Sequence, residues 1–380
     1  MSKTLAARNL DVLRVMLAAN IPVKLESKPG AGKTSHINAM FEGSNGFLRT
    51  MVAVNHDPTD FGGIPAPAGD RYKLLPGEWA MDLVEKAESG QYGIVGLFFD
   101  EVNTAGRAVL AALLKVVDER IVGFQRLPSS IRIIMAMNPA EANGGVDLTP
   151  AMANRVAHLA FEYPLKQWAK DMRDGFNTPA PIVLPAADEL DKLALLYGGK
   201  VADFAGSGAV TPGEFEAYPD ESALRSGPFP TRRTWTLAAR AMAACELLGF
   251  DGTTQQLSVA ALVGKKSAEQ FEDYLDTANG MDPVAMLNDP DNFPLPDRDD
   301  GLFTALDRMT NVALSGPTQA YIDAACKVLM RVGKQRPGVA ASGMRSVALF
   351  LREHREFISP VVQDAIREFK PIIDAAGGME

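Results

Sequence analysis

The chain has 380 residues, a formal net charge of −9 and 22% charged residues. This length allows two or three domains with a sizeable core, and the composition is typical of a globular protein. The negative net charge argues against constitutive binding of nucleic acid, which usually needs a basic surface. No apolar run approaches the roughly 20 residues of a membrane-spanning helix. Cys245 and Cys326 lie far apart, so we expect free buried thiols and a cytoplasmic location.

The first part of the chain alternates between strand-like and helical patterns. Residues 5–19 have the apolar spacing of an amphipathic helix. From residue 21 to about 162, helical stretches separate four apolar runs, which are Ile21–Leu25, Arg49–Val54, Ile94–Phe99 and Ile131–Met137. This alternation predicts an α/β fold with a mainly parallel sheet and helices on both faces.

After Tyr163 the pattern becomes mainly helical, with long connections. A proline-rich segment covers residues 177–185, an irregular stretch covers 206–230, and an acidic loop-like stretch covers 280–300. The helices predicted between and after them are Asp188–Leu196, Thr234–Leu248, Ser258–Ala278 and three or four over Leu302–Ala376.

The run Ser27-Lys28-Pro29-Gly30-Ala31-Gly32-Lys33-Thr34 has the layout of a phosphate-binding loop between a strand and a helix. Its glycines let consecutive backbone N–H groups face an anion. Its lysine ammonium would bind the β- and γ-phosphates, its threonine hydroxyl would bind Mg²⁺, and the start of the helix adds a positive end. Ser27 stands where the pattern has glycine, and a glycine-rich turn with an accidental lysine is the alternative. The predicted nucleotide-binding residues are Pro29, Gly30, Ala31, Gly32, Lys33, Thr34 and Ser35.

Polar side chains follow two of the predicted strands. Asp100 and Glu101 end the run that begins at Ile94, and Asn138 follows the run that ends at Met137. Asp100 would hold Mg²⁺, Glu101 would orient the attacking water, and Asn138 would hydrogen-bond the γ-phosphate or that water. The alternatives are solvated turn residues for the acidic pair and a strand-end Asn-Pro turn for Asn138.

Taken together, these motifs resemble those of AAA+ ATPases. GAGKT, LFFDEVN, IMAMNP and the segment Leu148–Arg155 follow one another in the order of that family. The segments Asp57–Gly63 and Ala111–Arg120 look closest to the MoxR and dynein-related branch. The resemblance covers about residues 5–250.

The resemblance implies a domain organisation. Residues 1–163 would form a P-loop AAA+ core with a parallel sheet flanked by helices. Residues 164–255 would form a helical lid, and residues 256–380 a helical carboxyl-terminal extension. It also suggests a hairpin at Gly123–Pro128 that could line a central pore.

Two arginines gain roles from the resemblance. Arg155 matches the arginine finger, which reaches the γ-phosphate bound by a neighbouring subunit; the alternative is a surface arginine. Arg233 matches sensor 2, which binds phosphate within its own subunit, and Arg232 is the other candidate. The implied active form is a homo-oligomeric ring, by resemblance a hexamer.

The expected activity is Mg²⁺-dependent ATP hydrolysis that remodels or activates a partner protein. By resemblance the partner is a protein substrate or a von Willebrand factor A-type protein. The alternatives are a motor NTPase linked to nucleic acid, and a nucleotide-gated scaffold with little turnover. The residues do not distinguish ATP from GTP.

Overall fold

The structure is a computed structural model that describes residues 5–139, 146–176, 179–219, 226–279, 282–295 and 299–375. The chain divides into two compact units. The first comprises Met1–Ala202 and Pro212–Glu269, and the second comprises Asp203–Thr211 and Gln270–Glu380. The division into three parts at residues 163 and 255 stays a prediction.

The first unit is built on a five-stranded sheet with the order β2-β5-β8-β1-β9, in which every ladder is parallel. The sheet strands are β1 (Val23–Glu26), β2 (Gly46–Val52), β5 (Ile94–Asp100), β8 (Ile131–Met137) and β9 (Ala157–Ala160). β8 is buried along its whole length, as expected for a strand covered on both faces. The predicted α/β fold with a parallel sheet is therefore confirmed.

Helices flank this sheet, and several pack directly on its strands. Those of the first unit are α1 (Leu5–Ala18), α2 (Lys33–Glu42), α3 (Pro58–Gly62), α4 (Glu78–Glu88), α5 (Arg107–Glu119), α6 (Pro150–Ala153), α7 (Leu165–Asp174), α8 (Ala187–Gly206), α9 (Pro212–Phe215), α10 (Arg232–Leu247), α11 (Gly252–Val263) and α12 (Lys265–Asn279). The last turn of α8 and the last two thirds of α12 belong to the second unit.

Two of the predicted helices have other bounds in the structure. α8 continues ten residues beyond the predicted end at Leu196, through Gly198 and Gly199. Each glycine costs a helix about 1 kcal/mol, but the burial of residues beyond them favours continuation. The helix predicted over Ser258–Ala278 is two helices, because the chain turns at Gly264 with φ +86°. A Cβ at Gly264 would lie 3.1 Å from the carbonyl oxygen of Pro228.

The second unit is helical and has its own core of buried apolar side chains. Its further helices are α13 (Pro283–Asn288), α14 (Asp299–Ser315), α15 (Gln319–Gly333), α16 (Pro337–Glu353) and α17 (Pro360–Ala375). α13 lies in a stretch predicted as loop. Asp282 caps it by accepting a hydrogen bond from the Val284 N–H, and proline occupies the first helical position, a favourable start for a helix.

Two β-hairpins extend from the first unit and contact each other. They are β3 (Ile64–Ala68) with β4 (Arg71–Leu75), and β6 (Ile121–Val122) with β7 (Gln125–Arg126). Gly123 has φ +58°, and a Cβ there would lie 2.4 Å from the carbonyl oxygen of Leu74. The hairpin predicted near Gly123 is confirmed, and Tyr72 and Phe124 are 71% and 57% exposed.

Both cysteines are free and buried, as predicted. Burial raises the pKa of each thiol to about 12, so neither is reactive near neutral pH. In the described part of the chain, no helix has the length and apolar character needed to cross a membrane.

His158 on β9 is held in its neutral form. Its Nε2 lies 2.8 Å from the carbonyl oxygen of Ala153, so Nε2 carries the proton and donates. Burial, followed by the charge of Lys24, lowers the pKa of His158 to about 3. Protonating this ring would place an uncompensated charge in the interior, which is unfavourable.

We expect His158 to make the protein sensitive to acid. The unfolded chain binds a proton at this histidine near pH 6.5 and the folded chain only near pH 3. The stabilisation is therefore complete above pH 6.5 and is lost as the pH falls towards 3. Between pH 7.5 and 5, wild type should lose about 1–2 kcal/mol more unfolding free energy than His158→Gln. Urea unfolding at both pH values measures this difference.

The matched control is His354→Gln, because His354 is partly exposed and lies in the other unit. That variant keeps His158 and should therefore lose more unfolding free energy between these pH values than His158→Gln does. Equal losses in wild type and His158→Gln would contradict the assignment.

Candidate nucleotide site

The predicted phosphate loop connects the carboxyl end of β1 to the start of α2. Gly30 and Gly32 adopt φ of +76° and +85°, a left-handed conformation that glycine adopts without steric cost. No atom lies within 4 Å of a Cβ built at either position, so the backbone there borders open space. The two glycines are therefore required by backbone conformation rather than by close packing.

The loop ends at the amino terminus of α2. Gly32 is the N-cap residue and no side chain caps the helix. The N–H groups of the first turn, which begins with Lys33, Thr34 and Ser35, are therefore not capped by a side chain. Such groups, together with the helix dipole, favour an anion at this position.

The sheet order brings other predicted residues to the same place. β5, β8 and β1 are neighbours, and their carboxyl ends carry Asp100, Asn138 and the loop. Lys33 Nζ donates to Asn138 Oδ1 at 2.9 Å. Thr34 Oγ1 donates to Asp100 Oδ2 at 2.6 Å. The ammonium, hydroxyl, carboxylate and amide predicted from separate motifs thus form two direct contacts.

Lys33 is buried, with 8% of its surface exposed. Desolvation lowers its pKa, and the negative charges of Asp100, Glu26 and Glu101 oppose that shift. Its ammonium also donates to the hydroxyl of Ser27 at 2.8 Å and to the carbonyl oxygen of Ser27 at 3.2 Å. A buried charge of this kind needs such oxygen partners.

Glu101 has an unusual backbone conformation beside Asp100. Its φ of +53° and ψ of +38° are left-handed, which costs a non-glycine residue on the order of 1–2 kcal/mol. Its N–H donates to Asp100 Oδ1 at 2.9 Å, and its side chain is exposed. Strain of this kind is concentrated at functional sites, and here it occurs at an exposed carboxylate whose charge acts on Lys33.

Thr34 and Asp100 offer a donor set that suits magnesium. Both supply oxygen atoms, which this hard cation prefers, and they lie at the end of the loop where phosphate oxygens would complete the coordination. Mg²⁺ commonly binds through one or two protein groups, with substrate phosphates and water as the remaining ligands. The residues present therefore fit the ion.

The sequence analysis missed Asn103, which fixes the position of Asn138. Asn103 Nδ2 donates to the carbonyl oxygen of Asn138 at 2.9 Å, and the Asn138 N–H donates to Asn103 Oδ1 at 3.2 Å. Asn103 is fully buried. The only signal in the sequence is an asparagine two residues after the acidic pair, and its partner lies 35 residues away.

Arg155 and Arg233 are not part of this cluster but lie together at Asp118. Arg155 Nε is 2.8 Å from Asp118 Oδ1, and an Arg233 terminal nitrogen is 3.6 Å from the same oxygen. The adjacent guanidinium of Arg155 lowers the pKa of Asp118. Arg232 instead pairs with Glu216 at 2.6 Å. Asp118 was another residue that the sequence analysis did not identify.

The position of Arg155 follows from the sheet register. β9 is parallel to β1, with Ala157 opposite Val23 and Ala160 opposite Glu26. Arg155 precedes β9, whereas the loop follows β1, so the two lie at opposite edges of the sheet. Four strand residues alone span about 13 Å, which is further than an arginine side chain reaches.

A cleft of about 1100 Å³ opens beside the loop within the first unit. Ser27, Lys28 and Ala31 form part of its wall, and segments 158–164, 226–230 and 263–267 contribute to the rest. Its volume is at the upper end of that of small-molecule sites.

Comparisons with known proteins give a fold likeness without a close relative. No family model and no curated protein sequence matches the chain. One similar solved structure is a presumed ATPase from Cytophaga hutchinsonii, 17% identical, with a TM-score of 0.45, covering 67% of this chain and 80% of that one. Another is a full-length MCM homolog from Methanopyrus kandleri, 14% identical, with a TM-score of 0.35. It covers 72% of this chain and only 55% of that one.

We expect Asn103→Ala to destabilise the first unit. The substitution removes two hydrogen bonds and leaves a buried N–H and carbonyl of Asn138 without these partners, which costs about 1–3 kcal/mol for each unsatisfied group. Urea unfolding measures the loss. Asn311→Ala is the control, since Asn311 makes an exposed hydrogen bond to Asp307 in the other unit. Equal stability of the two variants would contradict a positioning role for Asn103.

Proposed function

We propose that the protein is an ATPase that hydrolyses ATP with Mg²⁺ and uses the energy to remodel or activate a partner protein. The observation that carries this proposal is the convergence of Lys33, Thr34, Asp100 and Asn138 at one edge of the sheet. These are the groups needed to bind phosphates, hold a divalent cation and sense a terminal phosphate.

Each residue has a separate task in this proposal. Pro29 begins the loop, the N–H groups from Gly30 to Ser35 bind phosphate oxygens, and Lys33 neutralises the β- and γ-phosphates. Thr34 and Asp100 hold magnesium, which would supply further neutralisation of the phosphate charge. The Glu101 carboxylate orients and polarises the attacking water. Asn138, fixed by Asn103, hydrogen-bonds the γ-phosphate or that water.

The cleft beside the loop is the proposed site of the nucleoside. It begins at Ser27 and Lys28, so a nucleotide whose phosphates lie in the loop would extend into it. ATP is proposed on the resemblance to AAA+ proteins, because the lining does not by itself distinguish adenine from guanine.

Arg155 is proposed to act on the nucleotide of a neighbouring subunit. Its place at the opposite edge of the sheet supports this, since it is too far from its own loop. The active form would then be a homo-oligomeric ring, by resemblance a hexamer. Arg155 would supply positive charge to the γ-phosphate as bonds break, an effect that is large in related phosphoryl transfers.

The contact at Asp118 bears on the role of Arg233. Arg233 and Arg155 approach the same carboxylate oxygen. We therefore propose that both bind the phosphates of the same nucleotide, which is the one held by the neighbouring subunit. This differs from the expectation that Arg233 binds phosphate in its own subunit. The pairing of Arg232 with Glu216 supports Arg233 as the sensor 2 residue.

The two hairpins are the proposed elements for contact with a protein substrate. They pack through Gly123 and expose Tyr72 and Phe124. Aromatic side chains provide large contact areas on a polypeptide. A partner of the von Willebrand factor A type is proposed on the family resemblance alone.

We expect Glu101→Gln to bind nucleotide like wild type but to lower steady-state ATP turnover by at least about 100-fold, since a positioned general base contributes that much. Lys33→Ala should weaken nucleotide binding itself. Calorimetric titration and a phosphate-release assay measure the two effects. Glu88→Gln, an exposed acid at the end of α4, is the control and should behave like wild type. Near wild-type turnover in Glu101→Gln would contradict its role, and stimulation by DNA would favour a nucleic-acid motor.

We expect a mixture of Arg155→Ala and Glu101→Gln subunits, each inactive alone, to regain partial activity. In mixed rings, some interfaces join an intact Glu101 to an intact Arg155 from the neighbour. If both act within one subunit, every site stays defective and no activity returns. Mass measurement of the rings confirms mixing, and doping either variant into wild type shows whether one defect inactivates a whole ring.

The same experiment places Arg233. If it acts on the neighbour's nucleotide, Arg233→Ala mixed with Glu101→Gln regains activity, and Arg233→Ala mixed with Arg155→Ala does not. The opposite result would assign Arg233 to its own subunit.

A further inference from the structure

The ammonium of Lys33 obtains a full set of hydrogen-bond acceptors from the protein itself. A lysine ammonium has three N–H donors. Its acceptors are Ser27 Oγ at 2.8 Å, the Ser27 carbonyl oxygen at 3.2 Å and Asn138 Oδ1 at 2.9 Å. A phosphate that binds Lys33 must therefore replace at least one of these oxygens.

Ser27 occupies the position where the phosphate-loop pattern has glycine, and its hydroxyl is used twice. It accepts from Lys33 and donates to the carbonyl oxygen of Lys28 at 3.0 Å. The residue is 9% exposed, so its hydroxyl makes these contacts in a largely dry environment, where a bond to a charged donor is strong. A glycine could supply the carbonyl oxygen but not the hydroxyl.

We infer that Ser27 is a positioning residue that holds Lys33 in the protein without nucleotide and thereby lowers its affinity for nucleotide. The hydroxyl acts as an internal substitute for a phosphate oxygen. The inference rests on the proposed phosphate-binding function of the loop, and it assigns to Ser27 a role that glycine at the same position would lack.

The direction of the effect follows from a thermodynamic cycle. Removing the hydroxyl destabilises the protein without nucleotide, because a buried N–H of Lys33 loses its acceptor. The nucleotide complex loses less stability, because a phosphate oxygen accepts the hydrogen bond from that N–H. The difference between the two losses appears as tighter binding. A residue with only a structural role would instead weaken stability and binding together.

The test uses the full chain and ADP, which is not hydrolysed. Calorimetric titration of ADP with Mg²⁺ should show about tenfold tighter binding to Ser27→Ala than to wild type, which corresponds to one hydrogen bond to a charged group. Without nucleotide, Ser27→Ala should melt at a lower temperature than wild type. At saturating ADP the two melting temperatures should converge.

A control and a second variant make the result interpretable. Ser207→Ala removes a hydroxyl of similar burial that bonds the carbonyl oxygen of Phe204 in the other unit; it should lower stability without changing ADP affinity. Ser27→Gly introduces the residue of the usual pattern and should also bind ADP more tightly than wild type. If Ser27→Ala does not fold, the ADP affinity of Ser27→Gly tests the role of Ser27 instead.

The outcomes separate this inference from the function on which it rests. Folded Ser27 variants that bind ADP equally or more weakly than wild type would overturn the role of Ser27 and leave the ATPase proposal intact. A wild-type protein that binds no ADP would overturn both.

Discussion

The buried ammonium of Lys33 is the constraint on which the candidate site depends. A charge with 8% exposure is tolerated only if oxygen atoms surround its N–H groups. That requirement explains why Ser27 and Asn138 face it, and why Asp100, Glu26 and Glu101 lie close enough to oppose the fall in its pKa. Asn103 in turn holds the backbone of Asn138 through two hydrogen bonds. A single buried charge therefore organises residues from three neighbouring strands.

The parallel sheet provides the second constraint, because all its strands run in one direction. Polar groups that follow a strand and polar groups that precede one therefore lie at opposite edges of the sheet. Groups that follow strands, such as Asp100 and Asn138, gather at the carboxyl edge with the loop. Arg155 precedes β9 and is consequently at the amino edge, next to Asp118. No adjustment of side-chain rotamers brings Arg155 back to its own loop. If the protein hydrolyses nucleotide with this arginine, the sheet topology itself requires a second subunit.

The sequence predicted four of the five sheet strands, because buried strands such as β5 and β8 are long apolar runs, but it did not single out β9. The predicted run Ile131–Met137 coincides with β8, and the other three overlap their strands to within three residues at either end. Helix ends were less predictable. Gly264 interrupts a helix through a turn that faces Pro228, a contact distant in sequence, whereas Gly198 and Gly199 interrupt nothing.

The limits of prediction at the site have a similar cause. Motif order led to Lys33, Thr34, Asp100 and Asn138, which the structure brings into contact, although their chemical roles stay predictions. Asn103 and Asp118 escaped notice because each acts through a partner at least 35 residues away. At Ser27 the sequence shows only a residue that differs from the glycine of the pattern. Its hydroxyl contact with Lys33 depends on the curl of the loop and cannot be read from spacing.

The contacts within the site suggest how it would respond to nucleotide. Lys33 is bonded to Ser27 and Asn138, and Thr34 is bonded to Asp100 at 2.6 Å. The groups proposed to bind phosphate and magnesium thus satisfy one another. Binding would exchange these internal contacts for contacts with the nucleotide, so that much of the gross interaction energy cancels. Asp100 ends β5, and Asn138 follows β8. The exchange of contacts would therefore take place at the carboxyl ends of these two neighbouring strands. In an ATPase that must release its product, such compensation favours moderate affinity over tight binding.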